Sequence, residues 1–155
     1  MKFRDRAVIF LATGLLIGNV PFAPGTFGSL IGLPLAFLLS RLNLLLSASF
    51  ILLFVFFAIA VASAAEKILS KKDPAKIVID EIAGLMVTFA GLPFNLGTAI
   101  AGFIIFRAFD ILKPFPIRAL ERKVPGGGGV VLDDVLAGIY ANLILRLAFY
   151  ITGVI

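Results

Sequence analysis

The sequence contains no cysteine, no histidine and no tryptophan among its 155 residues. Without cysteine there are no disulfides and no thiolate nucleophiles, and without histidine there are no phosphohistidine intermediates and no imidazole bases. A zinc or copper site is also disfavoured, because both metals favour sulfur and imidazole ligands. Any catalysis must therefore rely on carboxylates, a hard metal ion, lysine or arginine, hydroxyl groups or the backbone.

Charged residues are scarce as well, at 15% of the chain, whereas 61% of the residues are hydrophobic and 16 are phenylalanine. This balance is typical of a membrane protein and not of a soluble domain. The length suits one domain, taken as residues 1–155, with about five apolar helices of roughly 20 residues. In so apolar a chain, the net charge of +5 favours membrane lipids as partners and not nucleic acid.

Uninterrupted apolar stretches predict the helices. The longest, residues 43–65, carries no charge and predicts a transmembrane helix. The first stretch is not interpreted as a signal peptide, because no small-residue cleavage site follows it. The remaining stretches predict shorter helices, which tilt, re-enter or lie at the interface, and a long last helix: 7–20, 27–40, 77–92, 96–112 and 130–155.

The basic residues indicate how the chain is oriented. Lys67, Lys71, Lys72 and Lys76 follow the transmembrane stretch, and the positive-inside rule places them in the cytoplasm. In the topology that follows from this, only Arg41 and Arg146 of the 14 lysines and arginines lie elsewhere. Arg146 lies inside an apolar stretch without an evident partner. The predicted fold is a small, all-α, polytopic membrane bundle with an acidic site that faces the cytoplasm.

Five carboxylates fall at predicted helix ends on the cytoplasmic side, where a buried acid needs a partner. They are Asp80, Glu81, Asp110, Asp133 and Asp134. Carboxylate oxygens in the absence of histidine and cysteine suit Mg²⁺, the ion of phosphate chemistry. Simple helix capping by Asp80 and Asp133 is the alternative, although caps explain neither the two adjacent pairs nor Asp110.

Cations and hydroxyl groups near these acids predict phosphate binding. Arg107 and Lys113 lie three residues on either side of Asp110, and with Arg118 they would clamp phosphate oxygens. An ion-pair ladder around Asp110 is the alternative. Thr26 and Ser29 follow a turn at a helix start, and four glycines precede Asp133, although each of these segments also suits a plain turn.

Five groups of residues occur in a recognisable order, and together they resemble the bacterial phosphatidylglycerophosphatase A family over roughly residues 18–142. The groups are Pro24-Gly25-Thr26-Phe27-Gly28-Ser29-Leu30, Ile79-Asp80-Glu81-Ile82-Ala83-Gly84, Phe106-Arg107 to Asp110 with Lys113-Pro114, Pro116-Ile117-Arg118, and Gly126 to Gly129 followed by Asp133-Asp134 and Ala137-Gly138. The resemblance implies an all-α enzyme that hydrolyses phosphatidylglycerophosphate to phosphatidylglycerol and phosphate with Mg²⁺. It also implies a bacterial cytoplasmic membrane protein acting on lipid in the inner leaflet.

The resemblance further implies that the five carboxylates form the acidic site and that Arg107, Lys113 and Arg118 contact phosphate. From chemistry alone, we expect Mg²⁺ ligands at Asp80, Glu81, Asp110 and Asp134, with Asp133 as base or ligand. Thr26 and Ser29 would orient the phosphate.

Two other classes of protein remain open from the residues. A cation carrier or channel subunit would also place acids in the membrane, although here they cluster at one face. A non-catalytic subunit of a lipid-synthesis complex would bind lipid without releasing phosphate. Small residues four apart, such as Gly28 and Gly32, predict close helix packing within the chain, with an oligomer interface as the alternative.

Overall fold

A computed structural model describes residues 2–153, and all the regular secondary structure in this part of the chain is helical. Within it there are seven α-helices, a short 3-10 turn at Ile17–Asn19 and no strand. In chain order the helices are α1 (Phe3–Ala12), α2 (Pro24–Leu39), α3 (Leu44–Leu69), α4 (Ile79–Thr88), α5 (Leu96–Leu112), α6 (Ile117–Lys123) and α7 (Gly127–Thr152). The predicted all-α class is confirmed.

Helices α3 and α7 are long and apolar enough to cross a membrane. Each has 26 residues, or about 39 Å at 1.5 Å per residue, against a hydrocarbon core of about 30 Å. Only 22% of the most apolar part of each helix is buried, so most of their leucines and phenylalanines point outward, which suits lipid. The chain is therefore a small membrane helical protein.

Helix α3 begins and ends where its local sequence provides caps. The side chain of Asn43 accepts a hydrogen bond of 2.9 Å from the N–H of Leu46, which satisfies one free donor of the first turn. Ser70, with φ 49°, ends the helix in a left-handed conformation. The prediction of a helix over residues 43–65 is confirmed, with one more turn at its end.

The predicted first helix, residues 7–20, is wrong in its bounds. Helix α1 covers Phe3–Ala12, and Gly14, Leu15 and Leu16 all have positive φ. The turn lets Gly18 approach the carbonyl of Lys76 so closely that a Cβ at position 18 would overlap it. A contact with a distant segment therefore ends a helix that the apolar pattern would continue.

The predicted helix over residues 77–92 is also too long, because α4 ends at Thr88. The side chains of Asn142 and Arg146 donate to the carbonyl oxygens at its end, at 2.9 Å to Thr88 and 2.9 Å to Ala90 respectively. These donors come from α7, so the sequence around α4 gives no sign of them. With ten residues, or about 15 Å, α4 is too short to cross the hydrocarbon core.

The segment 113–129, predicted to be broken by proline and glycine, contains the short helix α6. Helix α7 begins at Gly127, three residues before the predicted start at position 130. Gly127 lies against the backbone of Ser63 on α3, where a Cβ would overlap the Ser63 nitrogen. The glycines therefore allow two long helices to touch. Residues 154 and 155 of the predicted last helix lie outside the described residues.

Helix α4 is the centre of the bundle, packed most extensively on α7 and also against α2 and α3. Gly28 and Gly32 of α2 make the close contact with α4, at Val78 and Leu85 respectively, as their spacing predicts. Helices α4 and α7 both begin at the end of the bundle where α3 and α5 finish. This end holds the polar side chains described next.

Candidate active site

The crossing of α4 and α7 places two acids side by side. Gly84 and Gly138 meet at the crossing, where a Cβ on Gly138 would overlap the carbonyl oxygen of Gly84. Because both helices begin at the same end, the residues one turn before these glycines, Asp80 and Asp134, face the same space. The two glycines thereby fix where these two carboxylates meet.

That space is a cavity of about 290 Å³ at the end of the bundle. All five carboxylates identified in the sequence line it, although they come from three separate helices. A sixth acid, Asp73, lines it from the loop before α4, and two cations complete the set. The charged lining residues are Asp73, Asp80, Glu81, Asp110, Asp133, Asp134, Arg107 and Lys113.

Arg107 joins three helices at the cavity. Its Nη1 lies 2.6 Å from Asp110 Oδ2 on the same helix and 3.5 Å from Glu81 Oε1 on α4. The same nitrogen lies 3.4 Å from the hydroxyl oxygen of Ser29 on α2 and donates to it. Arg107 therefore holds two of the acids in place, and half of the alternative ion-pair ladder around Asp110 is present.

Lys113 forms the other ionic contact, and its partner is not Asp110. It ends α5 with φ 44°, which turns its ammonium towards α7, where it donates to Asp133 Oδ2 and lies 3.3 Å from Glu121 Oε2. Burial of the ammonium disfavours its charge, but the hydrogen bond and negative charge of Asp133 outweigh this and raise the pKa of Lys113. Lys113 therefore stays protonated at neutral pH.

Of the five acids predicted from the sequence, Asp80 and Asp134 are the two that form no ion pair within the described residues. Only 7% and 3% of their surfaces are exposed, and within residues 2–153 no lysine or arginine nitrogen lies within 4.0 Å of either. Burial, together with the neighbouring charge of Glu81, raises the pKa of Asp80 well above its usual range. Burial likewise raises the pKa of Glu81, to about 8, against the opposing effect of Arg107.

Helix capping does not account for these acids. Asp80 is the second residue of α4 and Asp133 the seventh of α7, and the N-cap positions belong to Val78 and Gly126. Each aspartate instead accepts the N–H of the residue that follows it, at 3.0 Å. The capping alternative is therefore wrong for both, and their burial needs another explanation.

The donor set fits a hard divalent cation in its chemistry. The lining provides only carboxylate oxygens as anionic ligands, two of the buried acids lack a cation, and Glu81 Oε2 is buried without a hydrogen-bond partner in the described residues. The described part of the chain contains no group of three such side chains already arranged to hold a metal ion. Binding would therefore require the acids to rotate towards a common point.

Three residues predicted to bind substrate do not line this cavity. The hydroxyl of Ser29 is buried and donates to the carbonyl oxygen of Gly25 at 2.9 Å, so its contacts are to the protein. Thr26 is half-buried on the same helix turn. Arg118 is exposed, donates to the carbonyl oxygen of Leu112 at 3.3 Å, and lines a neighbouring cavity. The structure thus brings together Arg107 and Lys113 with the acids but leaves these three outside.

The sequence interpretation missed Asp73 and the residue that holds it. Its backbone N–H donates to Glu66 Oε1 at 2.7 Å, and its own φ is 44°. Asp73 as a whole is exposed, but the partial burial of its carboxyl raises the pKa of that group, which the charge of Lys113 partly offsets. The available signal was an isolated acid in a lysine-rich loop seven residues before Asp80.

A polar cavity lined by carboxylates at one end of a membrane helical protein is an arrangement that suits a membrane-bound enzyme. The comparison with known families makes this specific. The chain matches the family model Phosphatidylglycerophosphatase A over residues 10–149 and belongs to that family, so it is a phosphatase.

Individual relatives agree with this family. The chain is 37% identical to the Phosphatidylglycerophosphatase A of Escherichia coli, over 87% of this chain and 79% of that one. It is 38% identical to the Haemophilus influenzae protein of the same name, over 87% and 84%. It is also 38% identical to a Bacteroides thetaiotaomicron protein with the provisional name phosphatidylinositol-3-phosphatase, over 99% and 100%. No solved structure matches the chain significantly.

Proposed function

We propose that this chain hydrolyses the terminal phosphomonoester of phosphatidylglycerophosphate to give phosphatidylglycerol and phosphate. The observation that carries the proposal is the single cavity in which α4, α5 and α7 gather five carboxylates with Arg107 and Lys113. A family named for this reaction, with two relatives of the same name, supplies the substrate. In the reaction, the oxygen of water bonds to phosphorus while the bond from phosphorus to the glycerol oxygen breaks. The glycerol oxygen leaves as the alcohol after it takes a proton.

Mg²⁺ is the proposed cofactor, with Asp80, Glu81, Asp110 and Asp134 as its ligands. The support is chemical: two of these acids are buried without a cation, and a cluster of carboxylates alone would repel a phosphate. Bound there, Mg²⁺ would offset the negative charge of the phosphate and act as a Lewis acid.

The remaining side chains have roles that follow from their contacts. Asp133 lies at the cavity wall with Oδ2 on the Lys113 ammonium, so it is the proposed base that takes a proton from the attacking water. Lys113 is the proposed phosphate contact, since its positive charge would stabilise the charge that develops in the transition state. Arg107 holds Glu81 and Asp110 in position and adds a second positive charge to the cavity.

Phosphate release by the purified, detergent-solubilised protein tests the proposal. The substrates are phosphatidylglycerophosphate, phosphatidylinositol 3-phosphate, phosphatidic acid and glycerol 3-phosphate, each with Mg²⁺ or with a chelator. We expect fast release from the first lipid, only with Mg²⁺. Phosphate release that persists in chelator would refute the requirement for Mg²⁺. A folded but inactive protein would refute the proposed reaction.

Hydrolysis of phosphatidylinositol 3-phosphate is the second candidate. It is favoured by the Bacteroides thetaiotaomicron relative, whose match covers 99% of this chain. The same assay decides between the two, because the candidate substrates are compared at equal concentration. Faster release from the inositol lipid would replace phosphatidylglycerophosphate as the substrate.

The proposed location is the bacterial cytoplasmic membrane, in which the chain crosses several times and the acidic cavity faces the cytoplasm. Lysines 67, 71, 72 and 76 support this orientation, since they lie in the last turn of α3 and in the loop that leads from it to α4 and the cavity. The native chain has no cysteine, so Lys72→Cys introduces a single thiol. We expect an impermeant thiol reagent to label it only in inside-out vesicles, whereas Leu42→Cys at the opposite end should label only in intact cells. Labelling of Lys72→Cys in intact cells would invert the topology.

A further inference from the structure

A second cavity lies beside the acidic one and has the opposite charge. It has a volume of about 520 Å³ and is formed by the end of α5, the loop after it and α6. Among the described residues that line it, none is an acid and four are cations: Lys113, Arg118, Arg122 and Lys123. Within residues 2–153, none of the last three lies within 4.0 Å of a carboxylate. Their charges are thus available to an anionic ligand.

Among residues 2–153, Lys113 alone lines both cavities. A ligand with one phosphate in each cavity would therefore have its two phosphates on either side of this one side chain. Arginine suits phosphate, because its planar guanidinium donates two parallel hydrogen bonds. Arg118 and Arg122 together can therefore bind the oxygens of one phosphate.

The basic cavity also has an apolar rim that suits a lipid. Phe115 is 85% exposed and Leu112 is 68% exposed, and both line the cavity. Exposed apolar side chains next to arginines match the region of a phospholipid where the phosphate meets the acyl chains. A soluble phosphate ester has no acyl chains to contact these apolar side chains.

We propose that this basic cavity binds the phosphodiester of the lipid substrate while the terminal phosphomonoester lies in the acidic cavity. The proposal rests on the proposed function and specifies its substrate class, a phospholipid whose head alcohol carries a second phosphate. Phosphatidylglycerophosphate and phosphatidylinositol 3-phosphate both have this pair of phosphates. Phosphatidic acid lacks the phosphodiester and would leave the basic cavity empty. Arg118 then recognises the phosphate that stays on the product.

The test compares two double variants, one that removes two positive charges from the basic cavity and one that removes two from another part of the surface. Arg118→Gln/Arg122→Gln changes the basic cavity, and Lys71→Gln/Lys72→Gln is the matched control, since it removes equal charge from the same end of the bundle. Kinetics are measured with phosphatidylglycerophosphate in micelles of neutral detergent without other anionic lipid. We expect the arginine pair to raise KM by about tenfold or more with kcat within about twofold, and the lysine pair to leave both within about twofold.

Three results would overturn the proposal. An unchanged KM in the Arg118→Gln/Arg122→Gln variant would show that the basic cavity does not bind the substrate. An equal rise in both pairs would show a general effect of surface charge. A rise that occurs only in vesicles with added anionic lipid would assign the cavity to a neighbouring lipid and not to the substrate. Thermal unfolding of each variant checks that it is folded.

A binding experiment separates failure of this proposal from failure of the proposed function. Short-chain phosphatidylglycerol carries the phosphodiester alone, so its binding does not depend on hydrolysis. We expect ligand-detected NMR to show binding to the native protein and to the lysine pair, with at least about tenfold weaker binding to the arginine pair. Equal binding to all three would refute the phosphodiester site even if the enzyme is active. Selective loss would support it even if phosphatidylglycerophosphate is not hydrolysed.

Discussion

Two pairs of polar side chains face the bundle from α7, centred about three turns apart, and they differ in whether their hydrogen-bonding and ionic partners are present. Asn142 and Arg146 make hydrogen bonds to each other at 2.8 Å and to the carbonyl oxygens at the end of α4. Asp133 and Asp134 are more deeply buried, yet Asp134 has no cation within 4.0 Å in the described part of the chain. One helix thus carries a satisfied polar pair and an incomplete one.

The difference indicates that Asn142 and Arg146 stabilise the fold, whereas Asp133 and Asp134 serve the function. A polar group that is buried with its partners stabilises the fold, whereas a buried charge without a partner destabilises it. Among the described residues of α7, the buried carboxylate without a cation, Asp134, lies at the cavity, where a ligand can supply the missing positive charge. We therefore expect substitutions at the two pairs to have opposite effects: loss of turnover at the aspartates and loss of stability at Arg146.

The largest effect on turnover is expected for Asp134→Asn. The amide is almost the same size, so packing is kept, but the negative charge proposed to bind Mg²⁺ is lost. Turnover should fall by about a thousandfold, and the thermal unfolding temperature should stay the same or rise. Phosphate release and thermal unfolding in detergent measure the two quantities. Near-normal turnover would remove Asp134 from the metal site.

The next effect is expected for Lys113→Met, which keeps an unbranched side chain but removes the ammonium that binds Asp133. Turnover should fall by about 10- to 100-fold, with Lys113→Arg as the conservative control that recovers part of it. Both kcat and KM should change, because Lys113 is proposed to contact the phosphate. A variant that only unfolds more easily, with normal kinetics when folded, would give Lys113 a purely structural role.

A smaller effect is expected for Gly138→Ala, at the position between the two pairs. The added Cβ would overlap the carbonyl oxygen of Gly84, so α4 must move away from α7. This would separate Asp80 from Asp134 and lower turnover by about tenfold, with about 1 to 3 kcal/mol less stability. Ala141→Gly, one turn away on α7, is the control for a change in helix propensity. Unchanged kinetics in Gly138→Ala would show that the crossing does not position the site.

The same comparison shows what could be predicted from the sequence. The apolar stretches predict α5 to the residue and α3 to within one turn, and the five acids that the structure places around one cavity all follow from their position at helix ends. Both features can be recognised in a sequence: apolar stretches form a local pattern, and an acid at the end of such a stretch is notable because burying its charge is costly. The functional class followed from the order of the motifs and is confirmed by the family.

Features that depend on distant contacts could not be predicted. The end of α4 at Thr88 depends on donors more than 50 residues later, and the turn after α1 depends on the approach of Gly18 to Lys76. Asp73 reaches the cavity from a loop, and the sequence of a loop has no periodic pattern that predicts where its side chains lie. Two of the three acceptors of Arg146 could not be identified in the sequence, because they are backbone carbonyl oxygens, which every residue has. The third acceptor, the side-chain oxygen of Asn142, lies one turn earlier on α7 and was missed.

The smallest effect on turnover, and the clearest effect on stability, is expected for Arg146→Met. Methionine keeps the length of the side chain but cannot donate to the carbonyl oxygens of Ala90 and Gly91, which would be left without this partner. We expect the protein to lose about 2 kcal/mol of stability, visible as a lower unfolding temperature, while the folded fraction keeps kcat within about twofold. Arg41→Met is the matched control, because Arg41 is exposed and stacks over the Phe37 ring at 4.7 Å, a contact worth under about 1 kcal/mol. If Arg146→Met instead lost turnover at full stability, Arg146 would belong to the function of the protein, and the division between the two pairs on α7 would be wrong.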